Sequence, residues 1–219
     1  MTIKTIITGA TGMVGEGVLL ACLDHPDVER VLVINRRPGG MSHPKLLEII
    51  HTDFFNLAPI APQLAGYDAC FFCLGVSSVG MEAEQYRRAT HDLTLGVAQV
   101  LAAANPEMTF CYVTGKGTDS SEQGRVAWAR VKGATENALM RLFKNAYMFR
   151  PALMKASPGQ KNLNPWYRYL AWIYPIGRAV FPNSFCTLQE VGHAMINVTC
   201  NGYPKRILEV TDIVDLARG

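Results

Sequence analysis

The chain lacks the features that mark several large classes of protein. It has no uninterrupted run of about 20 apolar residues, the length a membrane-spanning helix needs. The most apolar late stretch, Trp166–Phe181, is broken by Arg168, Pro175, Gly177 and Arg178. It reads as a hydrophobic lobe that lines a pocket or a subunit contact; peripheral membrane contact through its Trp and Tyr residues stays open. A basic n-region followed by an apolar core is also missing. The N-terminus opens directly into the strand-like Thr2–Thr8, so no secretory signal is expected. Basic charge is scarce and scattered: the net charge is +3 over 219 residues and the densest pair is Arg36-Arg37. A nucleic-acid partner, which would call for a basic stripe, is therefore not expected. The five histidines show neither H-x-H nor H-E-x-x-H spacing, so no metal is expected.

Cysteine is present but not in a framework. Cys70 and Cys73 form a C-x-x-C inside the apolar run Asp68–Leu74, which reads as a buried strand. Residues i and i+3 of a strand face opposite sides, so the two thiols cannot share a metal or readily bond to each other. Cys22, Cys111, Cys186 and Cys200 stand singly among apolar residues and read as small core side chains. Free thiols fit a reducing cytosol.

The remaining composition, 49% apolar and 18% charged, is that of a packed globular chain. Its length suits one α/β core, with residues 1–219 as a single domain and 151–219 contributing a small lobe. Strand and helix patterns alternate. Strands are expected at Ile3–Thr8, Arg30–Asn35, Leu47–His51, Ala69–Leu74, Met108–Thr114, Tyr147–Arg150 and Arg206–Val210. Helices are expected at Val14–Asp24, about 83–104, about 125–143, and from Thr187, where Glu190 completes a capping box. That alternation predicts a doubly wound parallel sheet with helices on both faces.

The first strand runs into Gly9-Ala10-Thr11-Gly12-Met13-Val14-Gly15 and then an apolar helix. At this spacing Gly9 permits the tight turn, Gly12 lets backbone approach a pyrophosphate, and Gly15 lets helix and sheet pack closely. The helix N-terminus offers unpaired amides to phosphate. A Rossmann-type dinucleotide site follows, with Gly9, Thr11, Gly12, Met13, Val14 and Gly15 at its centre. Twenty residues beyond Gly15, where an acidic residue would hold the ribose hydroxyls of NAD, stands Asn35, followed by Arg36 and Arg37. Guanidinium groups can pair with a 2′-phosphate, so NADP(H) is favoured over NAD(H). Asp53, after the third strand, reads either as a partner of adenine or as a surface residue.

The T-G-x-x-G-x-x-G run Thr8–Gly15 resembles the extended and atypical short-chain dehydrogenase/reductases. Leu74-Gly75, Thr114-Gly115, Lys132 and Phe149-Arg150-Pro151 match that family in order. The nearest branches are the NAD-dependent epimerase/dehydratase-like, NmrA-like and Tat-interacting-oxidoreductase-like proteins. The resemblance implies that Leu74, Gly75, Lys132 and Arg150 belong to the cofactor site and that Thr114 hydrogen-bonds a substrate carbonyl. A homodimer would be common for such a fold. The family pairs Tyr with Lys four residues later on a helix, where Lys lowers the Tyr pKa and Tyr passes the proton. Here Lys132 is present, but Trp128 holds the Tyr position, and an indole N–H does not titrate. Lys132 reads either as a ribose ligand or as the partner of Glu136 on an exposed helix face. Other groups weighed as proton donors or pocket residues are Ser77, Ser78, Tyr86, Thr118, Ser120, Ser121 and Arg125.

Three functions compete. An NADPH-dependent oxidoreductase on a small carbonyl compound is favoured by the loop, the Arg pair, Lys132 and the hydrophobic lobe. A non-catalytic NADP(H)-sensing protein would explain Trp128. A sugar-nucleotide epimerase or dehydratase fits least, because it needs the missing Tyr and more than the ~70 residues that follow the sixth strand.

Overall fold

The computed structural model describes residues 2–163 and 167–219. The chain begins with strand β1 (Ile3–Thr8), helix α1 (Met13–Asp24), β2 (Val28–Asn35) and β3 (Leu46–Ile50). A 3₁₀ segment, Ala58–Leu64, leads to β4 (Ala69–Phe72). The long helix expected next is α2 (Ala83–Arg87) and α3 (Leu93–Ala104), joined by a π turn at Arg88–Asp92. Then come β5 (Thr109–Val113), α4 (Ala127–Leu142), β6 (Asn145–Arg150) and β7 (Leu153–Lys155). The chain closes with α5 (Tyr167–Val180), β8 (Phe185–Thr187), α6 (Leu188–Asn201), β9 (Ile207–Glu209) and α7 (Val210–Leu216).

Seven strands form one parallel sheet in the order β3-β2-β1-β4-β5-β6-β9. The inner strands β1, β4, β5 and β6 are buried on both faces, as their continuous apolar runs require, whereas the edge strand β3 is largely exposed. One face carries α1, α6 and α7 over Ile3, Ile7, Val33, Phe71 and Phe149; the other carries α3 and α4 over Ile6, Leu32, Phe72, Phe110 and Tyr112. Cys70 belongs to the second core and Cys73 to the first, the opposite-face placement that strand geometry dictates. All six cysteines are free. The strand order reverses between β1 and β4, and the crevice beyond their carboxyl ends is where open α/β sheets take ligands.

Two departures from the sequence reading concern the C-terminal third. β7 and β8 form a separate two-stranded parallel sheet that the sequence pattern did not reveal. Val210, expected to end the last strand, instead begins α7, whose Glu209 and Asp212 make a capping box. The box expected at Thr187 is present: the Glu190 amide donates to Thr187 Oγ1 at 3.0 Å, and the Thr187 amide donates to Glu190 Oε2 at 2.7 Å. Pro165 and Trp166, within the proline-broken apolar region expected to form a lobe, lie outside the described residues. Among the described residues no helix is long and apolar enough to cross a membrane.

Candidate functional site

The glycine loop joins β1 to α1 at the switch point. Gly9 has φ +73°, and a Cβ there would lie 2.8 Å from the Cys73 carbonyl and the Leu74 amide. Only glycine permits both that conformation and that approach to β4. A Cβ on Gly15 would come within 2.1 Å of the Gly9 carbonyl oxygen, so the helix packs on the loop only because the side chain is absent. A Cβ on Gly12 would meet one atom within 4 Å, the Gly9 oxygen at 3.3 Å, a tight contact that Gly12 avoids. Gly12 is also the N-cap of α1, and no side chain caps it. The first-turn amides and the positive end of the helix dipole are thus left for an anion. These features fit a dinucleotide pyrophosphate.

Cavities lie on either side of this loop. One, of about 670 Å³, is lined by Thr11, Arg36, Arg37, Pro38, Gly39, Thr52 and Asn162. The other, of about 910 Å³, is lined by residues that include Gly12, Met13, Val14, Leu74, Gly75, Thr114, Trp128 and Lys132. Residues expected at opposite ends of a dinucleotide therefore gather in two cavities, one lined by Thr11 and the other by the adjacent Gly12. Asn35 ends β2 beside the first cavity, 4% exposed, and donates through Nδ2 to Glu48 Oε1 at 2.7 Å. Asp53 is exposed, does not line either cavity, and accepts from the Phe55 amide at 3.0 Å.

Two expected residues turn out to work elsewhere. Arg150 does not face the loop. Its guanidinium is buried and pairs with Glu136: Nε donates to Oε1 at 3.1 Å and Nη2 to Oε2. Nη2 also donates to Ser120 Oγ at 2.5 Å. Thr114 borders the second cavity, but its hydroxyl donates to Glu136 Oε1 at 2.7 Å, so that proton is not offered to a carbonyl ligand. The Thr114 carbonyl instead accepts from Lys132 Nζ at 2.5 Å. Glu136 is fully buried, which overturns the exposed Lys132–Glu136 pair as the alternative role of Lys132. Burial lowers the Lys132 pKa below the ordinary lysine range, and the nearby Glu136 charge opposes that shift.

Trp128 lines the second cavity with its ring centroid 6.0 Å from Lys132 Nζ. The other hydroxyls weighed as proton sources are engaged or remote. Tyr86 is buried away from the cavity, Thr118 donates to the Gly115 carbonyl, and Ser121 donates to Asp119. Ser77 lines the cavity, whereas Ser78 and Arg125 do not. Several cavity residues escaped the sequence reading, among them two with ionisable side chains. Cys73 has its thiol pushed up to about 12 by burial, and Lys116 donates to Ser184 Oγ at 3.1 Å.

Also missed was a strap between β7 and α5. Gln160 Nε2 donates to the Met13 carbonyl at 2.7 Å. The Lys161 and Asn162 amides donate to Glu16 Oε1 and Oε2 at 2.9 and 2.8 Å. Glu16, in the first turn of α1, is only 3% exposed. No local pattern signals a bond between residues about 145 positions apart.

The sequence matches the NAD dependent epimerase/dehydratase family over residues 5–122. The chain belongs to this family. It is 29% identical to Protein fmp52-1, mitochondrial, of Aspergillus terreus, over 75% of this chain and 73% of that one. It is 27% identical to Protein HTATIP2 of Rattus norvegicus, over 74% and 67% of the two chains. Its fold is that of the Bordetella bronchiseptica enzyme WbmF, solved in complex with NAD+, with a TM-score of 0.68 at 15% identity. That match covers 99% of this chain and 77% of WbmF. Family and fold together support an NAD(P)-binding, oxidoreductase-like protein.

Proposed function

We propose that this family member binds NADP(H) across the Thr8–Gly15 loop and reduces a small apolar carbonyl compound. The observation that carries the reading is the pairing of two cavities on either side of Gly12, one bearing Arg36 and Arg37, the other Lys132 and Trp128. The Gly12, Met13 and Val14 backbone would hold the pyrophosphate, and Arg36 and Arg37 the 2′-phosphate. Leu74 and Gly75 would border the nicotinamide, with Lys132 at its ribose. The bound cofactor supplies hydride chemistry. Val76, Val113, Leu153 and Met154 give the second cavity an apolar wall that suits a hydrophobic carbonyl compound.

A second reading, an NADP(H)-binding protein without turnover, draws on Trp128. The ionisable side chains lining the second cavity are Lys116, Lys132 and Cys73, and no tyrosine is among its lining residues. A homodimer and a cytosolic location, the latter resting on the free thiols, are part of the proposal.

Calorimetric titration with NADPH and then NADH is the test. Tighter NADPH binding, lost in Arg36→Ala while NADH binding is kept, supports the reading; equal loss of both refutes the 2′-phosphate assignment. NADPH oxidation with aldehydes, ketones and quinones then separates reductase from sensor.

A further inference from the structure

The turn that presents Arg36 and Arg37 is gripped at both ends by one carboxylate oxygen. Glu48 Oε1, on β3, accepts from Asn35 Nδ2 at 2.7 Å and from the Gly39 amide at 2.9 Å. A Cβ on Gly39 would lie 3.2 Å from that oxygen and 3.4 Å from Asn35 Nδ2, so the turn closes tightly around the contact. Glu48 also borders a small cavity whose lining includes Thr11, Gly39 and Asn162, the same three residues that help line the Arg36–Arg37 cavity. Glu48 is not part of the Arg36–Arg37 cavity wall, but its charge stands in the small cavity that shares these three residues with it.

The chemistry of this placement is unusual. A carboxylate at the end of the second strand ordinarily accepts the ribose hydroxyls and repels a 2′-phosphate. This chain has the neutral Asn35 there and brings a carboxylate to it from the neighbouring strand.

We propose that Glu48 determines cofactor specificity by two opposed effects, holding the Asn35–Gly39 turn in shape while its charge restrains affinity for a 2′-phosphate. The inference rests on the NADP(H) reading of the site. Hydrogen bonding from Asn35 and Gly39 needs only an acceptor, whereas repulsion of phosphate needs the charge, so the two effects can be separated chemically.

Glu48→Gln keeps an acceptor and removes the charge; Glu48→Ala removes both. NADPH and NADH titrations of the whole chain and these variants form the test. Glu48→Gln tightens NADPH about fivefold and leaves NADH within about twofold, and raising salt to about 0.5 M shrinks the gain. Glu48→Ala weakens NADPH about tenfold, because Arg36 and Arg37 lose their fixed placement. If both variants move NADPH affinity in the same direction, or neither changes the NADPH-to-NADH ratio, the role of Glu48 is overturned while the site reading stands. If the unaltered protein binds neither dinucleotide, the reading fails and the inference falls with it.

Discussion

Glu136 on α4 and Arg150 at the end of β6 form an ion pair inside the protein, their side chains 0% and 11% exposed. Removing Glu136 leaves the Arg150 guanidinium with only the half-exposed Glu209, 3.6 Å from Nη1, as counter-charge, and removing Arg150 leaves Glu136 buried without its cation. Glu136→Ala is expected to cost about 3–5 kcal/mol in urea denaturation, and Glu136→Met with Arg150→Met to recover most of it. A single variant within about 1 kcal/mol of the unaltered protein would show that water or another group compensates the lost partner.

Gly12 and Gly15 should separate binding from folding. Gly12→Val meets only the Gly9 oxygen, at 3.3 Å from its Cβ, so the protein still folds with a smaller loss of stability than Gly15→Ala but no longer binds dinucleotide. Gly15→Ala must displace the Gly9 carbonyl, which its Cβ would approach to 2.1 Å, and lowers stability by about 1–3 kcal/mol. Calorimetry with NADPH and thermal melts of both proteins distinguish the two effects.

The strap depends on Glu16. Glu16→Ala removes the acceptor of the Lys161 and Asn162 amides, and hydrogen exchange at those two amides should accelerate at least tenfold while β-sheet amides remain protected. Unchanged protection would mean that the strap is held by its other contacts, Gln160 to Met13 foremost.

Trp128→Tyr places a titrating hydroxyl four residues before Lys132. If the second cavity presents a carbonyl at that position, NADPH-dependent reduction rises by about 10²-fold or more, within the range a positioned general acid supplies. No change across a panel of carbonyl compounds would favour the sensing role.

Lys132 gives a pH dependence with a definite sign. Its pKa in the folded protein lies below the ordinary 10.5, because burial disfavours the charged amine. Between the two values the unfolded chain holds more protons, so this group makes stability rise with pH through that window. In Lys132→Met the rise should flatten. Denaturant titrations from about pH 8 to 10.5 measure it, and identical slopes for both proteins would exclude the shift.

Much of the frame could be read from local pattern. β1, the glycine loop and α1 follow from an apolar run, three glycines at fixed spacing and an apolar helical continuation. The Thr187–Glu190 box was legible because both partners lie within one helical turn. The three-residue strands β7 and β8 were not, since neither is long enough to show alternation and each needs a partner about 30 residues away. The π turn at Arg88–Asp92 left the apolar spacing of the surrounding helices intact enough to read as one helix. Arg150 and Thr114 were placed at the site by their order in the chain, but their polar atoms point to Glu136, a residue whose burial nothing in its neighbourhood announced.

The sequence by itself determined the alternating architecture, the glycine loop after β1, the opposed faces of Cys70 and Cys73, and a non-titrating Trp128 four residues before Lys132. These depend on backbone periodicity and side-chain chemistry, which act over a few residues. Tertiary structure alone decided where the charges go: Glu136 to Arg150, Glu16 to the strap, Glu48 to the Arg36–Arg37 turn, and Lys132 to the Thr114 carbonyl. A charged side chain in or beside the interior is stabilised only by the specific groups that replace its water, and folding brings those groups from distant parts of the chain.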